Sequence, residues 1–227
     1  MQSLSVTDIL SKIHKVFKPK SYLEISDSPM GCRFLDLTDP EINVVGVNYW
    51  PKWDLKSLPK NAIIYPVTSD YFFQCPYMTR NNYKADMIVV DGCKRFELML
   101  RNCTFSSHLV NEDGLILITG TSPEKAEDAI RPKFGDDDQS KYGDGYKFLS
   151  ILKKNNITDA HQILCDDGGL TVISGNNLNI FTDDIVWQVR DFLNLPFEER
   201  EKSYDISPEE YLEKFLKPRE TKEENIS

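Results

Sequence analysis

Met87-Ile88-Val89-Val90-Asp91-Gly92 and Leu115-Ile116-Leu117-Ile118 are the two runs that decide the fold. Both are apolar at nearly every position ahead of the first polar residue. A strand covered by helices on both faces of its sheet reads that way, whereas a half-solvated strand alternates. Between them Phe96, Met99, Leu100, Cys103, Ser107 and Val110 fall on one side of a helix, with Gly114 as its closing residue. Strand, helix and strand in that order imply a right-handed crossover and parallel pairing.

Working outward, Tyr22-Leu23-Glu24-Ile25, Val44-Val45-Gly46-Val47 and Ala62-Ile63-Ile64-Tyr65-Pro66-Val67 supply three more β-rich runs upstream. Ahead of them Val6, Ile9, Leu10, Ile13, Val16 and Phe17 keep helical spacing until Pro19. Downstream, residues 121–145 change character. Pro123, Pro132, Gly135, Gly143 and Gly145 accompany the acidic run Asp136-Asp137-Asp138, the composition of a long lid loop. A helix is expected over 146–154, where Phe148, Leu149, Ile151 and Leu152 are apolar. Gln162-Ile163-Leu164-Cys165 and Leu170-Thr171-Val172-Ile173 then flank Asp166-Asp167-Gly168-Gly169, a hairpin signal. Two tail helices are expected, one over 185–195 and one running from Ser207-Pro208-Glu209-Glu210 to Leu216. The fold class is therefore α/β, a mostly parallel sheet with helices on both faces, a C-terminal antiparallel hairpin and extra C-terminal helices. A main domain is expected over 1–180 and a helical extension over 181–227. There is no internal repeat.

A length of 227 residues suits one such domain with an appendage better than two domains. Lys plus Arg number 27 against 36 Asp plus Glu, a net charge of −9, so a general nucleic-acid binder is not expected. The cysteines Cys32, Cys75, Cys93, Cys103 and Cys165 are odd in number and form no C-x-x-C pair. That favours a reducing compartment over a disulfide framework and speaks against zinc. No basic stretch followed by an apolar run opens the sequence, and no apolar run approaches the ~20 residues of a membrane span. A cytoplasmic protein with no membrane partner is expected. The tail residues Trp187, Phe192, Phe197 and Phe215 could face a second copy in a homo-oligomer as easily as a core.

A mostly parallel sheet ending in an antiparallel hairpin resembles that of the class I S-adenosylmethionine-dependent methyltransferases. Several strings, in order from about Ser21 to Ile173, resemble methyltransferase family 24 within them; Ser207-Pro208-Glu209-Glu210-Tyr211-Leu212 is also similar. The resemblance implies a Rossmann-like fold, S-adenosylmethionine as cofactor, and a sugar, glycan or other small hydroxylated acceptor. In Tyr22-Leu23-Glu24-Ile25-Ser26-Asp27-Ser28-Pro29-Met30-Gly31, Glu24, Ser26 and Gly31 occupy the loop that approaches the methionine moiety at the carboxyl edge of the sheet. Ser26 stands where the family has its first glycine, and Gly31 lies one residue later than usual. Asn48, after Val45-Gly46-Val47, replaces the acid that binds the ribose, and an amide can still bond there without charge assistance. Thr68-Ser69-Asp70-Tyr71-Phe72-Phe73 is the best single match, and it implies that Ser69 and Asp70 lie near the adenine.

Val90-Asp91-Gly92-Cys93-Lys94-Arg95-Phe96-Glu97 resembles the segment whose Asp faces the methyl-transfer centre, with Lys94 in place of a histidine. Thr119-Gly120 replaces the family's His-Asp after the next strand. Asp91 alone would remain of a metal set, too few oxygen ligands for Mg²⁺, so no metal is expected. Tyr142-Gly143-Asp144-Gly145-Tyr146-Lys147 resembles a segment whose Asp and Lys face the acceptor pocket. Methyl transfer needs alignment above all, and an alcohol acceptor also needs a base. Asp91, Lys94 and Asp144 are the candidate catalytic residues, Asp91 the preferred base because a strand end holds it rigidly. His14, His108 and His161 are expected to be structural. Two other classes of function stay open. One is a catalytically degraded relative serving as a binding or interaction module, which Ser26, Asn48, Thr119 and Gly120 favour. The other is a nicotinamide-binding domain, for which the G-x-G-x-x-G fingerprint is missing.

Overall fold

In a computed structural model, residues 4–38, 41–49, 58–75, 83–133, 141–174 and 188–216 are described. Helix α1 (Val6–Phe17) opens with a capping box: Asp8 N–H donates to the Ser5 hydroxyl, and the Asp8 carboxylate accepts from Ser5 N–H. The chain turns out of the helix at Lys18, whose φ of 46° is left-handed. There follow β1 (Ser21–Ser26), β2 (Asn43–Val47), β3 (Ala62–Tyr65), α2 (Ser69–Phe73), β4 (Ala85–Asp91), α3 (Phe96–Ser107) and β5 (Val110–Thr119). After a short 3-10 turn at Ala126–Ala129 come α4 (Lys147–Lys154), β6 (Ala160–Ile163), β7 (Leu170–Ser174), α5 (Val189–Phe192), β8 (Asp205–Ile206) and α6 (Pro208–Tyr211).

The eight strands of the described residues form one sheet in the order β3-β2-β1-β4-β5-β7-β6-β8. Among the described residues only β7 runs against its neighbours; every other pairing is parallel, including β4 with β5 across α3. This is the expected mostly parallel sheet with its antiparallel hairpin. Alternate residues of the central strands feed two cores. Met87, Val89, Leu115 and Leu117 meet α1, while Ile88, Val90, Ile116 and Ile118 meet α3 and α4. Both faces are covered, which is why these strands carry no polar alternation. Each fully buried aliphatic side chain contributes about 1.5–3 kcal/mol relative to exposure.

Some boundaries differ from expectation. Helix α3 stops at Ser107, and Val110 and Gly114 belong to β5. The pairing of β4 with β5 jumps from Ala85↔Val110 to Met87↔Leu115, so residues 111–114 form an irregularity on that strand. A Cβ on Gly114 would stand 2.8 Å from the Asp86 carbonyl, so close approach rather than helix closure explains this glycine. Val110 fits the helical spacing by coincidence. The expected helix over 185–195 lies partly outside the described residues, and what is described is the single turn α5. The acidic run 136–138 and Trp187 lie outside them too. Strand β8, two residues long, was not expected. Among the described residues no helix is long and apolar enough to cross a membrane.

Candidate functional site

At the carboxyl edge of the sheet, β1 leads away toward β2 on one side and β4 toward β5 on the other. That makes the gap between them the topological switch point, where α/β sheets bind ligands. The two strand ends are in register, Ser26 beside Asp91, and Asp27 N–H donates to the Asp91 carbonyl at 3.0 Å. Gly92 has φ +74°, and a Cβ there would lie 2.6 Å from Ser28 N, so the turn after β4 needs glycine to pack on the loop after β1.

The Asp91 side chain is fully buried and takes a fork from Arg33: Nε donates to Oδ2 at 3.0 Å and Nη2 to Oδ1 at 2.7 Å. The Thr119 hydroxyl donates to Oδ1 as well, at 2.7 Å. Arg33 is fixed through its own backbone, since its N–H donates to Glu24 Oε1 at 2.6 Å. Phe34 N–H and the Tyr22 hydroxyl donate to Glu24 Oε2 at 3.1 and 3.3 Å. Burial, reinforced by the nearby Asp91 charge, pushes the Glu24 carboxyl well above its ordinary range. The hydrogen bonds to Asp91 hold the Arg33 guanidinium more firmly protonated than usual. Above this floor lies a cavity of 260 Å³, walled by Ser28, Gly92, Lys94, Lys141, Tyr142 and Asp167 together with Arg33 and Asp91. Larger hollows of 440 Å³ beside His161 and 520 Å³ beside His14 lie away from the switch point. The smaller cavity is the candidate site because the strand-end residues converge on it.

The fold brings Glu24, Ser26, Gly31, Asn48, Asp91 and Lys94 into this neighbourhood. The Ser26 hydroxyl donates to the Gly31 carbonyl at 3.0 Å and accepts from Ser28 N–H, tightening the loop in which Gly31 takes φ +83°. Asn48 is buried, and its Nδ2 donates to the carbonyls of Ser26 at 2.8 Å and Ser28 at 2.9 Å. Ser69 and Asp70 form the first turn of α2, and they are not on the cavity wall. Thr68 caps that turn by accepting from Tyr71 N–H, and Asp70 pairs with Arg101 of α3 at 2.9 Å. Between these groups the Cys93 thiol donates to Asp27 Oδ2 at 3.1 Å and accepts from Asn102 Nδ2 at 3.4 Å. Asn102 Oδ1 and Arg101 Nε are left buried without a partner among the described residues.

Asp144 is not on the cavity wall. It caps α3 from a distance, its Oδ1 accepting from Phe96 N–H at 3.0 Å where Arg95 supplies no side-chain cap. Its Oδ2 accepts from Arg131 at 2.7 Å and from Lys147 at 3.2 Å, and Arg131 also pairs with Glu97. Lys147 Nζ reaches on to the Leu193 carbonyl at 2.7 Å, and the Tyr146 hydroxyl to that of Leu195 at 2.8 Å. Gly143 makes this turn possible, because a Cβ there would stand 1.8 Å from the Lys94 carbonyl.

The sequence did not single out Arg33, Arg131 or Arg101. Arg33 had a signal: it is the one charge in Gly31-Cys32-Arg33-Phe34-Leu35, and a charge inside an apolar run wants a buried partner. Among the described residues no three His, Cys, Asp or Glu side chains converge as a metal site would require.

No family model and no curated protein matches the sequence. Solved structures do match: 166 chains are similar in fold. One is a Staphylococcus aureus protein assigned as a caffeoyl-CoA O-methyltransferase. It is 16% identical with a TM-score of 0.54, over 76% of this chain and 83% of that one. Strand order, the single reversed strand and this structural likeness agree that the chain has the Rossmann-like fold of the class I methyltransferases.

Proposed function

We propose that the protein is an S-adenosylmethionine-dependent O-methyltransferase acting on a small acceptor. The observation that carries this reading is the buried carboxylate of Asp91 at the floor of a polar 260 Å³ cavity on the switch point of the sheet. The cofactor fits the residues present on one structural ground. Asn102 Oδ1 and Arg101 Nε are buried polar atoms without partners among the described residues, in the cluster that joins Asp27, Cys93 and Asp70. Asp27, Asp70 and the loop from Ser26 to Gly31 would hold it. When bound, it would supply a methyl group on an activated sulfonium. The chain's part is to align the acceptor, exclude water and neutralise charge, and alignment alone lowers such barriers by up to ~7–11 kcal/mol. Asp91 and Lys94 face the cavity and can touch an acceptor. Asp144 holds the wall in place. A sugar or glycan as acceptor rests on the resemblance of the sequence strings.

A second reading, a non-catalytic binding module, is favoured by two observations. Asn48 Nδ2 donates to two loop carbonyls, and Arg33 already neutralises Asp91. Calorimetric titration with S-adenosylhomocysteine, followed by labelled-methyl transfer to an acceptor panel, separates the two. Binding with transfer is expected. Binding without transfer to any acceptor would favour the module, and no binding at millimolar ligand would overturn the methyltransferase reading.

A further inference from the structure

The charged side chains on the cavity wall are Arg33, Lys94, Lys141, Asp91 and Asp167, three cations against two carboxylates. That is a local reversal in a chain whose net charge is −9. Groups able to take a proton there are already engaged. Asp91 accepts three hydrogen bonds, two from the Arg33 guanidinium and one from Thr119, so one lone pair of its carboxylate stays open, and it lies beside a fixed positive charge. The Cys93 thiol donates to Asp27, and the Tyr142 hydroxyl to the Asp166 carbonyl at 3.3 Å. Glu24 is sealed beneath the floor, and Asp144 is bound by Arg131, Lys147 and the start of α3. Asp167 lies at the solvent-exposed rim, on the connection between β6 and β7. No histidine is among the described wall residues.

We infer that the acceptor is itself an anion, a small molecule whose reacting oxygen is a carboxylate or phenolate, gripped by Arg33, Lys94 and Lys141. The inference rests on the methyltransferase reading and narrows its substrate class. In the transfer, the methyl–sulfur bond breaks with its electron pair staying on sulfur, and a methyl–oxygen bond forms from a lone pair of the acceptor. An anionic oxygen enters that step with no proton to lose. An aliphatic hydroxyl must shed one, and the base it needs is worth ~10²–10⁴-fold in rate. Arg33 keeps donors beyond its fork, because Nε and Nη2 serve Asp91 and a guanidinium carries five N–H groups. Its side chain is 43% exposed, open to the cavity while held at its base by Glu24.

The test uses the full chain and matched probes: galacturonate against galactose, benzoate against benzyl alcohol, and 4-nitrophenolate against 4-nitrobenzyl alcohol. Binding is measured by ligand-observed NMR at low salt, with and without S-adenosylhomocysteine. In at least one pair the anion should bind about tenfold tighter than its neutral partner. Whether the carboxylate or the phenolate pair shows it tells the two sources apart. Lys94→Gln and Lys141→Gln should each weaken that binding about two- to fivefold, and Asp167→Asn should strengthen it. A fold defect would not produce these opposite signs. Equal or tighter binding of the neutral members, no binding of any anion at about 10 mM, or indifference to all three substitutions would overturn the inference. S-adenosylhomocysteine is titrated separately. If it binds without any anion preference, only the acceptor class fails. If the anions bind with the expected lysine dependence and it does not, the methyltransferase reading fails and the cavity stands as an anion site without a methyl acceptor.

Discussion

Two buried carboxylates in this protein each face an arginine, and they do different work. Asp91 and Asp144 are both almost wholly enclosed, and Arg33 and Arg131 are comparably exposed, at 43% and 35%. The rest of each surrounding makes the difference. Asp144 also receives a helix N-terminal N–H and the buried ammonium of Lys147, itself tied to the Leu193 carbonyl. Asp91 has instead a second carboxylate beneath it, Glu24, and open space beside its arginine. An ion pair closed on every side fastens elements together, whereas one with a buried carboxyl behind it and a cavity in front leaves its arginine able to meet a ligand.

If that contrast is right, Asp144→Ala should be the most damaging of five substitutions. It strands Lys147, uncaps α3 and releases Arg131, at a cost of about 3–5 kcal/mol in urea unfolding. Asp144→Asn, which keeps an acceptor for Phe96 N–H, should lose less. Gly143→Ala comes next at about 2–3 kcal/mol, because the new methyl meets the Lys94 carbonyl and φ is +70°. Arg33→Met should lower stability by only about 1–2 kcal/mol, since solvent at its exposed side screens the pair. A larger loss from Arg33→Met than from Asp144→Ala would reverse the comparison.

Glu24→Gln sharpens it with the smallest effect. The folded-state Glu24 carboxyl titrates above the ordinary 4.5, so the folded protein keeps a proton that the unfolded chain releases. This contribution is fully present below 4.5 and is lost as pH rises through the raised value. Removing the group should flatten the fall of stability with rising pH above 4.5 in denaturant midpoints measured across the range. An unchanged slope would mean that burial beside Asp91 does not hold a proton on Glu24.

The sheet was legible because β4 and β5 bury both faces, and unbroken apolar runs show that directly. The hairpin was legible because Gly168 and Gly169, both at positive φ, mark the connection. The edge was not. β8 has two residues, too few for any periodicity, and owes its place to pairing with β6. The cavity was half legible. Strand-end positions follow from topology, which put Asp91 and Lys94 where they lie. Which partner an acid takes depends on loops that meet only after folding. Nothing local links Arg131 to Asp144 or says that Asp144 caps α3 instead of its own helix. The His14 ring packs 5.0 Å from that of Tyr22, and burial lowers its pKa to about 4.

Strand β8 has a consequence beyond the site. Gln162 N–H donates to the Tyr204 carbonyl at 2.8 Å and Leu164 N–H to that of Ile206 at 3.1 Å. Those two bonds sheathe the outermost ladder of the sheet. Were residues 203–216 cut away, β6 would present bare amide groups beside a hydrophobic flank, a template for strands from other molecules. Removing that segment is therefore expected to promote aggregation.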